Sequence, residues 1–230
     1  ALTAALWDED NYQFGMAGAV YQMAASSEIT GSNNVDHITG GATSAGITAG
    51  LGADILVGGA GTDTFIMTGS VGGVDQITMT DGTDIVSLDL SDIEGLTDIT
   101  DLVDLSVLSY IATVAITYSS TTAITAAYDF VTGTGDDILA VANINSAEEL
   151  ETAFEAGGTR ALTANTAWTA KDAFLVVYDD GVNSTIAVVS TSAAVANDAT
   201  FAAGTLTVTD LAVIVGQADA GAVSELASVT

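Results

Sequence analysis

The chain has 230 residues, of which 49% are hydrophobic, so one large or two modest domains with a sizeable core are affordable. It contains no cysteine. Its formal net charge is −28 because the charges of 30 acidic residues are offset only by Arg160 and Lys171. This composition excludes disulfides and thiolate metal sites, disfavours attraction to anionic lipid, and excludes nucleic-acid binding, which needs a basic surface.

The acidic residues are predominantly aspartate. Eight of the 30 are glutamate, which leaves 22 aspartates. Aspartate carries its carboxylate on a short side chain that fits into turns, whereas a surface that needs charge only for solubility could use glutamate as freely. So many like charges also repel one another in a compact chain. We therefore expect the folded state to depend on divalent cations or on high salt.

Residues 1–30 carry a spacing that is typical of one helix face. Tyr12, Met16, Val20 and Met23 stand at positions i, i+4, i+8 and i+11. We interpret this segment as a cap over the first coil of the structure that follows, because an exposed sheet end invites aggregation. The alternative is a docking segment for a neighbouring subunit.

Residues 31–66 form four rows of nine residues that share one register. The early positions of each row are mostly glycine, asparagine or another small residue. The eighth position is always large and apolar: Ile38, Ile47, Leu56 and Phe65. The sixth position is Asp36, Ala45, Asp54 and Asp63 in turn. Each row predicts a turn, in which glycine permits positive φ, followed by a short strand whose eighth residue points into a shared core.

Two degenerate, re-spaced repeats follow and predict that the stack continues to about residue 90. They contain Asp75 and Asp84 at the positions that correspond to the sixth column. Beyond them, four aspartates in residues 92–104 are spaced by multiples of three. We interpret these four as the solvated face of a short helix or of a further turn rather than as an ion site.

Residues 105–230 change character and predict a second, β-rich domain. The capping box from Ser146 to Glu149 opens a helix near 146–157. Apolar runs on both sides of a short polar loop predict a hairpin over 173–190, and one or two final strands are expected near residue 210. An isolated glycine-rich turn resembles the repeats and offers two candidate ligands, Asp136 and Asp137.

The nine-residue rows resemble the calcium-binding repeat of RTX (repeats-in-toxin) proteins, whose pattern is Gly-Gly-x-Gly-x-Asp-x-apolar-x. The resemblance implies a mainly all-β chain, with a calcium-binding parallel β-roll (an RTX solenoid) over residues 31–104, followed by the β-rich domain with its one short helix. Successive repeats of that family lie on opposite sides of the roll, so an ion lies between repeats i and i+2. Asp36 then pairs with Asp54, and Asp63, which faces Ala45, is expected to form a weak site there or none.

On the same rule Asp75 stacks on Asp54, and Asp84 stacks on Asp63. Calcium takes about six to eight oxygen ligands, from carboxylates and carbonyls. The expected ligands are therefore the aspartates and the turn residues beside them: Asp36, Asp54, Asp63, Asp75, Asp84, Asn34, Gly50, Gly52, Gly58, Gly59 and Gly61. RTX proteins leave the cell by type I secretion, so the resemblance implies an extracellular or cell-surface location.

The sequence carries no recognisable catalytic constellation. His37 is the single histidine, and the register places it on a strand, facing outward. Without cysteine, and with one histidine, a zinc site of the usual ligand sets is implausible. No Gly-x-Ser-x-Gly nucleophile elbow is present either. We therefore expect a protein that is not an enzyme.

The favoured hypothesis is a secreted, calcium-binding structural protein that self-assembles outside the cell as a surface layer, filament or matrix. Its expected partners are further copies of the chain, bridged partly by calcium, with a cell-surface polysaccharide as a second candidate. Nucleic-acid binding is not expected because the chain has only two basic side chains. Membrane insertion is not expected because no run of about 18 apolar residues exists.

Two alternatives stay open. In the first, the chain is a catalytically silent, calcium-folded module of a larger secreted hydrolase, toxin or adhesin. In the second, a flat threonine-rich face binds ice or carbohydrate. The second ranks last because no regular Thr-x-Thr array repeats along the rows.

Overall fold

The computed structural model describes most of the repeat segment and of the C-terminal region. The described residues are 20–22, 28–43, 45–68, 73–80, 84–89, 108–110, 117–119, 138–164, 167–218, 220 and 226–229. The acidic segment 92–104 and the aspartates of the isolated turn, Asp136 and Asp137, lie outside them. The described residues are mostly β-structure with one short helix, which confirms the prediction of a mainly β chain.

Eight short strands cover the N-terminal half of the described chain. They are β1 (Val20–Gln22), β2 (Glu28–Thr30), β3 (His37–Thr39), β4 (Gly46–Thr48), β5 (Ile55–Val57), β6 (Thr64–Thr68), β7 (Asp75–Thr78) and β8 (Ile85–Asp89). Each of β1 to β6 pairs in parallel with the strand two places further on, so that the odd strands of this group lie in one sheet and the even strands in another. This follows from the rows, because each contributes one glycine-rich turn and one strand.

The helix face predicted in residues 1–30 is wrong where the structure describes it. Val20 lies in β1, which pairs in parallel with β3 in the register Val20 to His37. A strand replaces the helix there because the segment adds to a growing parallel sheet, and tertiary pairing overrides a local 3.6-residue spacing. Tyr12, Met16 and Met23 lie outside the described residues.

The C-terminal half supplies nine further strands and a helix among the described residues. They are β9 (Leu108–Tyr110), β10 (Thr117–Ser119), β11 (Ile138–Val141), α1 (Ala147–Phe154), β12 (Leu162–Ala164), β13 (Ala173–Asp179), β14 (Ser184–Thr191), β15 (Ala199–Thr200), β16 (Leu206–Ile214) and β17 (Leu226–Val229). The predicted hairpin is confirmed, since β13 and β14 pair antiparallel. The predicted helix is confirmed too.

The start of α1 follows from its capping residues. The Ser146 hydroxyl accepts a hydrogen bond from the Glu149 amide at 3.2 Å, which satisfies one of the free amides of the first turn. Glu149 reaches back to the Asn145 amide at 2.9 Å. Leu150 and Phe154 are buried on one face, and Gly157 takes a φ of +88° just past the end.

The sheets of the two halves are continuous. The nine-stranded sheet runs in the order β1-β3-β5-β7-β16-β14-β13-β11-β10, because β16 pairs in parallel with β7. In the five-stranded sheet, β17 pairs in parallel with β8. The domain boundary predicted near residue 104 therefore lies between segments that share both sheets.

Two hydrophobic clusters lie on opposite faces of β13 and β14. The first contains the eighth-column side chains Ile38, Ile47, Leu56 and Phe65, none of them exposed to solvent, together with Leu175 and Val188. The second gathers Phe174, Trp168 and Phe201 around the buried face of α1. Adjacent residues of β13 thus serve different cores, as a strand with a side-chain period of two requires.

A register shift between β14 and β16 lets the single strand β16 contribute side chains to both hydrophobic clusters. Ile186 pairs with Ala212 and Ala187 with Asp210, so Leu211 is an extra residue in β16. Before it, Leu206 and Val208 belong to the second cluster, and after it, Ala212 and Ile214 belong to the first. In the described part of the chain no helix is long and apolar enough to cross a membrane.

Candidate metal centre

Five buried aspartates of the repeat stack lie where the strands of its two sheets begin. The first row consists of Asp36 and Asp54, which end the turns before β3 and β5, and of Asp75, the first residue of β7; these strands belong to the nine-stranded sheet. Asp63 and Asp84, the second row, stand at the same place before strands of the five-stranded sheet. None of the five is more than 3% exposed. Carboxylates are rarely buried to this extent without a partner.

Each row is held together by hydrogen bonds between neighbouring coils. In the first row, Asp54 Oδ1 accepts from the Asp36 amide and Asp75 Oδ1 from the Asp54 amide, both at 2.8 Å. In the second row, Asp84 Oδ1 accepts from the Asp63 amide at 2.9 Å. The predicted stacking of Asp36 on Asp54, Asp54 on Asp75 and Asp63 on Asp84 is therefore present in the structure.

The second row ends at Ala45. Its amide donates to Asp63 Oδ1 at 2.8 Å, but its methyl side chain adds no carboxylate. Ala45 therefore gives Asp63 no carboxylate partner in this coil, as the sequence predicted. Asp63 has its acidic partner on the other side, in Asp84.

Most of the aspartates also cap their own turn through Oδ2. The amides of Ser32, Gly59 and Thr80 donate to the Oδ2 atoms of Asp36, Asp63 and Asp84 at 2.5, 2.6 and 2.9 Å respectively. Asp54 is different. Its Oδ2 atom is enclosed and has no hydrogen-bond partner among the described residues. A buried carboxylate oxygen without a donor is costly, and either a bound proton or a bound cation could lower that cost.

The electrostatics of the first row disfavour the ionised carboxylates of Asp54 and Asp75. Burial raises the pKa of Asp54 to about 6, against the lowering effect of the Asp36 amide, and the Asp36 charge adds to the rise. Burial likewise raises the pKa of Asp75 to about 7, with the charge of Asp54 contributing. The chain has only two basic side chains, too few to neutralise five buried carboxylates.

Glycines let the turns of successive coils approach closely. Gly50 and Gly52 have φ of +93° and +127°, which side chains other than glycine rarely adopt. A Cβ added to Gly52 would lie 2.8 Å from the Asn34 carbonyl oxygen and 3.1 Å from Asp54 Oδ1. The space that glycine leaves open is therefore bordered by a carbonyl and a carboxylate oxygen of adjacent turns.

The second row has a similar convergence of oxygens, at Gly58. A Cβ added there would lie 2.9 Å from Asp84 Oδ2, 3.0 Å from Asp63 Oδ2 and 3.1 Å from the Thr80 hydroxyl. That hydroxyl also donates to the Gly59 carbonyl oxygen. Thr80 was not among the predicted ligands because the repeat pattern has glycine at its position. Its place 21 residues after Gly59 is the signal that could have found it.

The remaining predicted turn residues shape the same turns through close packing, positive φ or a hydrogen bond. Gly59 packs against the neighbouring turn so closely that an added Cβ would lie 1.9 Å from the Gly41 carbonyl oxygen. Gly61 takes a φ of +94°. The amide of Asn34 donates to the Ser32 hydroxyl at 3.1 Å. His37 lies exposed on β3, as expected from the register.

Among the described residues no group of three or more His, Cys, Asp and Glu side chains could hold a metal. The groups that could contribute to an ion site beside Gly52 or Gly58 are carboxylate, carbonyl and hydroxyl oxygens. Calcium accepts such all-oxygen shells, whereas zinc prefers nitrogen and sulfur.

Comparison with known proteins found no matching family model, no matching curated protein and no matching solved structure.

Proposed function

We propose that this chain is an extracellular, calcium-binding structural protein whose repeat stack is a parallel β-roll of the kind it resembles in RTX proteins. Calcium would drive its folding, and its assembly with further copies would follow outside the cell. The observation that carries the proposal is the enclosed Oδ2 atom of Asp54, which has no donor among the described residues in a row of buried aspartates.

Calcium is the cation that suits this site best. It is abundant outside cells, and it tolerates irregular shells built from carboxylates and carbonyls. Magnesium demands a near-ideal octahedron and gives up its water reluctantly, so turns joined by backbone carbonyls suit it poorly. Bound calcium would supply positive charge to both rows and offset the repulsion among their carboxylates.

A structural role fits the chemistry better than a catalytic one. The single histidine is exposed on β3. The net charge of −28 keeps copies apart in the absence of cations, and divalent ions between acidic surfaces would allow them to associate. Folding and assembly would thereby be confined to calcium-rich surroundings.

Light scattering combined with circular dichroism, during a titration from chelator to millimolar calcium, tests both parts of the proposal. We expect β-structure to form as calcium is added, followed by growth from small species to large ordered particles. Magnesium at equal concentration, the control for ionic strength, should produce neither change.

Two results would contradict the proposal in different ways. Full β-structure in chelator would overturn the dependence of folding on calcium. A compact monomer at every calcium concentration above the folding midpoint would overturn the assembly role. That second outcome would favour the alternative, a passive calcium-folded module of a larger secreted protein.

A further inference from the structure

One face of the repeat half of the nine-stranded sheet points away from the hydrophobic core. Ile38, Leu56, Ile77 and Ile214 face inward and are at most 3% exposed. Because side chains alternate along a strand, their neighbours on β3, β5, β7 and β16 face outward. We call this set of outward residues the outer face: His37, Thr39, Ile55, Val57, Gln76, Thr78 and Val213.

The outer face is in register across four strands. His37 lies beside Ile55, Ile55 beside Gln76, and Gln76 beside Val213. A second line, two residues further along the strands, begins at Thr39. Neighbouring strands are about 4.8 Å apart, so the outer face is about 15 Å across. His37 and Gln76 are exposed, and the other members are half-buried.

The same side of the sheet is covered by a second layer in the C-terminal half. Val213 pairs with Thr185, and Thr185 pairs with Tyr178. Tyr178 belongs to the cluster around α1, so the outer face continues directly into a packed layer. Parallel strands normally have both faces covered. In the described part of the chain that cover lies over the C-terminal strands, whereas His37 and Gln76 of the outer face remain exposed.

The outer face carries no acidic side chain, lysine or arginine, and His37 counts as neutral at pH 7. Ile55, Val57 and Val213 present partly exposed apolar side chains there. In a chain with a net charge of −28, most contacts between two copies would bring carboxylates together. Contact through the outer face brings apolar side chains together instead.

The outward side of the five-stranded sheet is a poorer candidate for such a contact. It carries the exposed carboxylate of Glu28, and Thr48 and Thr64 place hydroxyl groups on it. Water competes for the hydroxyl groups, and the Glu28 charges of two copies would repel each other. The uncharged and partly apolar outer face is therefore the better surface for a second copy.

We propose that the outer face packs against the outer face of a second copy in the calcium-driven assembly. This inference rests on the proposed function and names the contact between its copies. A neutral, partly apolar face matches itself, so a two-fold arrangement with the two sheets about 10 Å apart satisfies both copies. A basic partner would bind the acidic surfaces in preference, and an anionic partner would be repelled by them.

The size of the contact sets its expected strength. An outer face about 15 Å across buries less than the roughly 800 Å² per partner of a stable protein interface. Two copies held by this contact alone should therefore dissociate in dilute solution. In an ordered particle the contact is repeated and joined by calcium bridges between acidic surfaces, so its loss should impair assembly and leave folding intact.

Light scattering in saturating calcium measures the lowest protein concentration at which particles form. Gln76→Glu replaces an exposed amide by a carboxylate of nearly the same shape. It should raise that concentration about fivefold or more, because like charges then meet across the contact. Asn197→Asp makes the same chemical change in the exposed loop between β14 and β15 and should leave the concentration unchanged.

Two further tests separate repulsion across the contact from misfolding. Gln76→Lys should also assemble poorly alone, whereas an equimolar mixture with Gln76→Glu should assemble near the wild-type concentration, because opposite charges then meet. Val213→Thr keeps the shape of the side chain but adds a hydroxyl, which should raise the concentration several-fold. Circular dichroism establishes that each variant is folded at the calcium concentration used. Val213→Thr keeps the test decisive if the Gln76 variants, which adjoin Asp75, fold differently.

Wild-type particles whose formation is unaffected by both Gln76→Glu and Val213→Thr would overturn this inference alone, and would leave the outer face to a partner other than a second copy. A mixture of the Gln76 variants that assembles no better than Gln76→Glu alone would overturn it too. A wild-type protein that forms no particles in saturating calcium would overturn the proposed assembly and this contact with it.

Discussion

At the scale of single residues, Asp54 is the position where the structure departs from its own pattern. Three of the five buried aspartates cap their own turn through Oδ2, and Asp54 does not. It also stands between two acidic neighbours, Asp36 and Asp75. The sequence predicted the stacking, because the spacing is regular, but not the oxygen without a donor, because spacing does not encode which turn amide reaches Oδ2.

Replacing Asp54 should therefore harm the calcium response more than replacing Asp63. We expect Asp54→Ala to raise the calcium midpoint of folding about tenfold, as loss of one carboxylate ligand does, and Asp63→Ala to raise it less. Circular dichroism during calcium titration measures both midpoints, and equal values would refute the asymmetry.

The two raised pKa values predict opposite pH responses with and without calcium. Folding raises the pKa of Asp54 from 3.8 to about 6 and that of Asp75 from 3.8 to about 7. Since these folded-state values lie above the unfolded ones, their contribution favours the folded state below about pH 4 and is lost as pH rises toward about 7. Taken alone, this contribution makes the calcium-free folded state less stable as the pH rises across this range.

With calcium present the dependence should invert, because calcium binds the ionised carboxylates. The calcium midpoint should rise as pH falls below about 7, where protons compete for Asp75 and then for Asp54. Calcium titrations followed by circular dichroism at a series of pH values make the measurement. A calcium midpoint that stays constant between about pH 5 and pH 8 would rule out this competition.

At the scale of elements, the turns depend on glycine only where two coils touch. Gly50 has a φ of +93°, and an added Cβ would lie 2.3 Å from the Ser32 carbonyl oxygen. Gly204 has a similar φ of +75° but no atom within 4 Å of an added Cβ. The pair separates backbone strain, which both share, from close approach, which belongs to the stack alone.

We expect Gly50→Ala to destabilise the protein by several kcal/mol and Gly204→Ala by only about 1 kcal/mol, the usual cost of positive φ for alanine. The extra loss at Gly50 arises because the turns would have to move apart. Chemical unfolding of both variants in saturating calcium gives the comparison. Similar losses would mean that the coils do not pack as closely as described.

Local patterns predicted individual elements well and their long-range pairing poorly. The eighth column faces the core and α1 begins at Ser146, because periodicity and capping are both written within a few residues. The pairing of β16 with β7 and of β17 with β8 joins segments more than 100 residues apart. No local spacing encodes such contacts, and the mistaken helix around Val20 has the same origin.

At the scale of the whole molecule, β13 couples the repeat stack to the C-terminal half. Leu175 packs in the cluster that contains the eighth-column residues, and its neighbour Phe174 packs in the cluster around α1. Both are essentially inaccessible to solvent. Truncating either side chain therefore probes one core from the same strand.

Leu175→Ala and Phe174→Ala should each cost about 2–5 kcal/mol in calcium, as large core truncations do. Only Leu175→Ala should also raise the calcium midpoint markedly, because it loosens the core on which the aspartate rows depend. Calcium titrations followed by circular dichroism distinguish the two. Equal shifts of the midpoint would show that both cores fold as one inseparable unit.

The alternation of strands between two sheets also restricts how such a chain can grow in evolution. One coil of the stack consists of two nine-residue repeats, one for each sheet. Asp36 therefore meets Asp54, and Ala45 meets Asp63, at a separation of 18 residues. Insertion of one row of nine would send every later strand to the opposite sheet, and β16 and β17 would lose the partners they now have. Insertion of 18 residues would keep every later strand in its present sheet and would add one position to each of the two aspartate rows. Natural length variants of this protein should therefore differ by whole coils, and tandem duplication of a single row should be selected against.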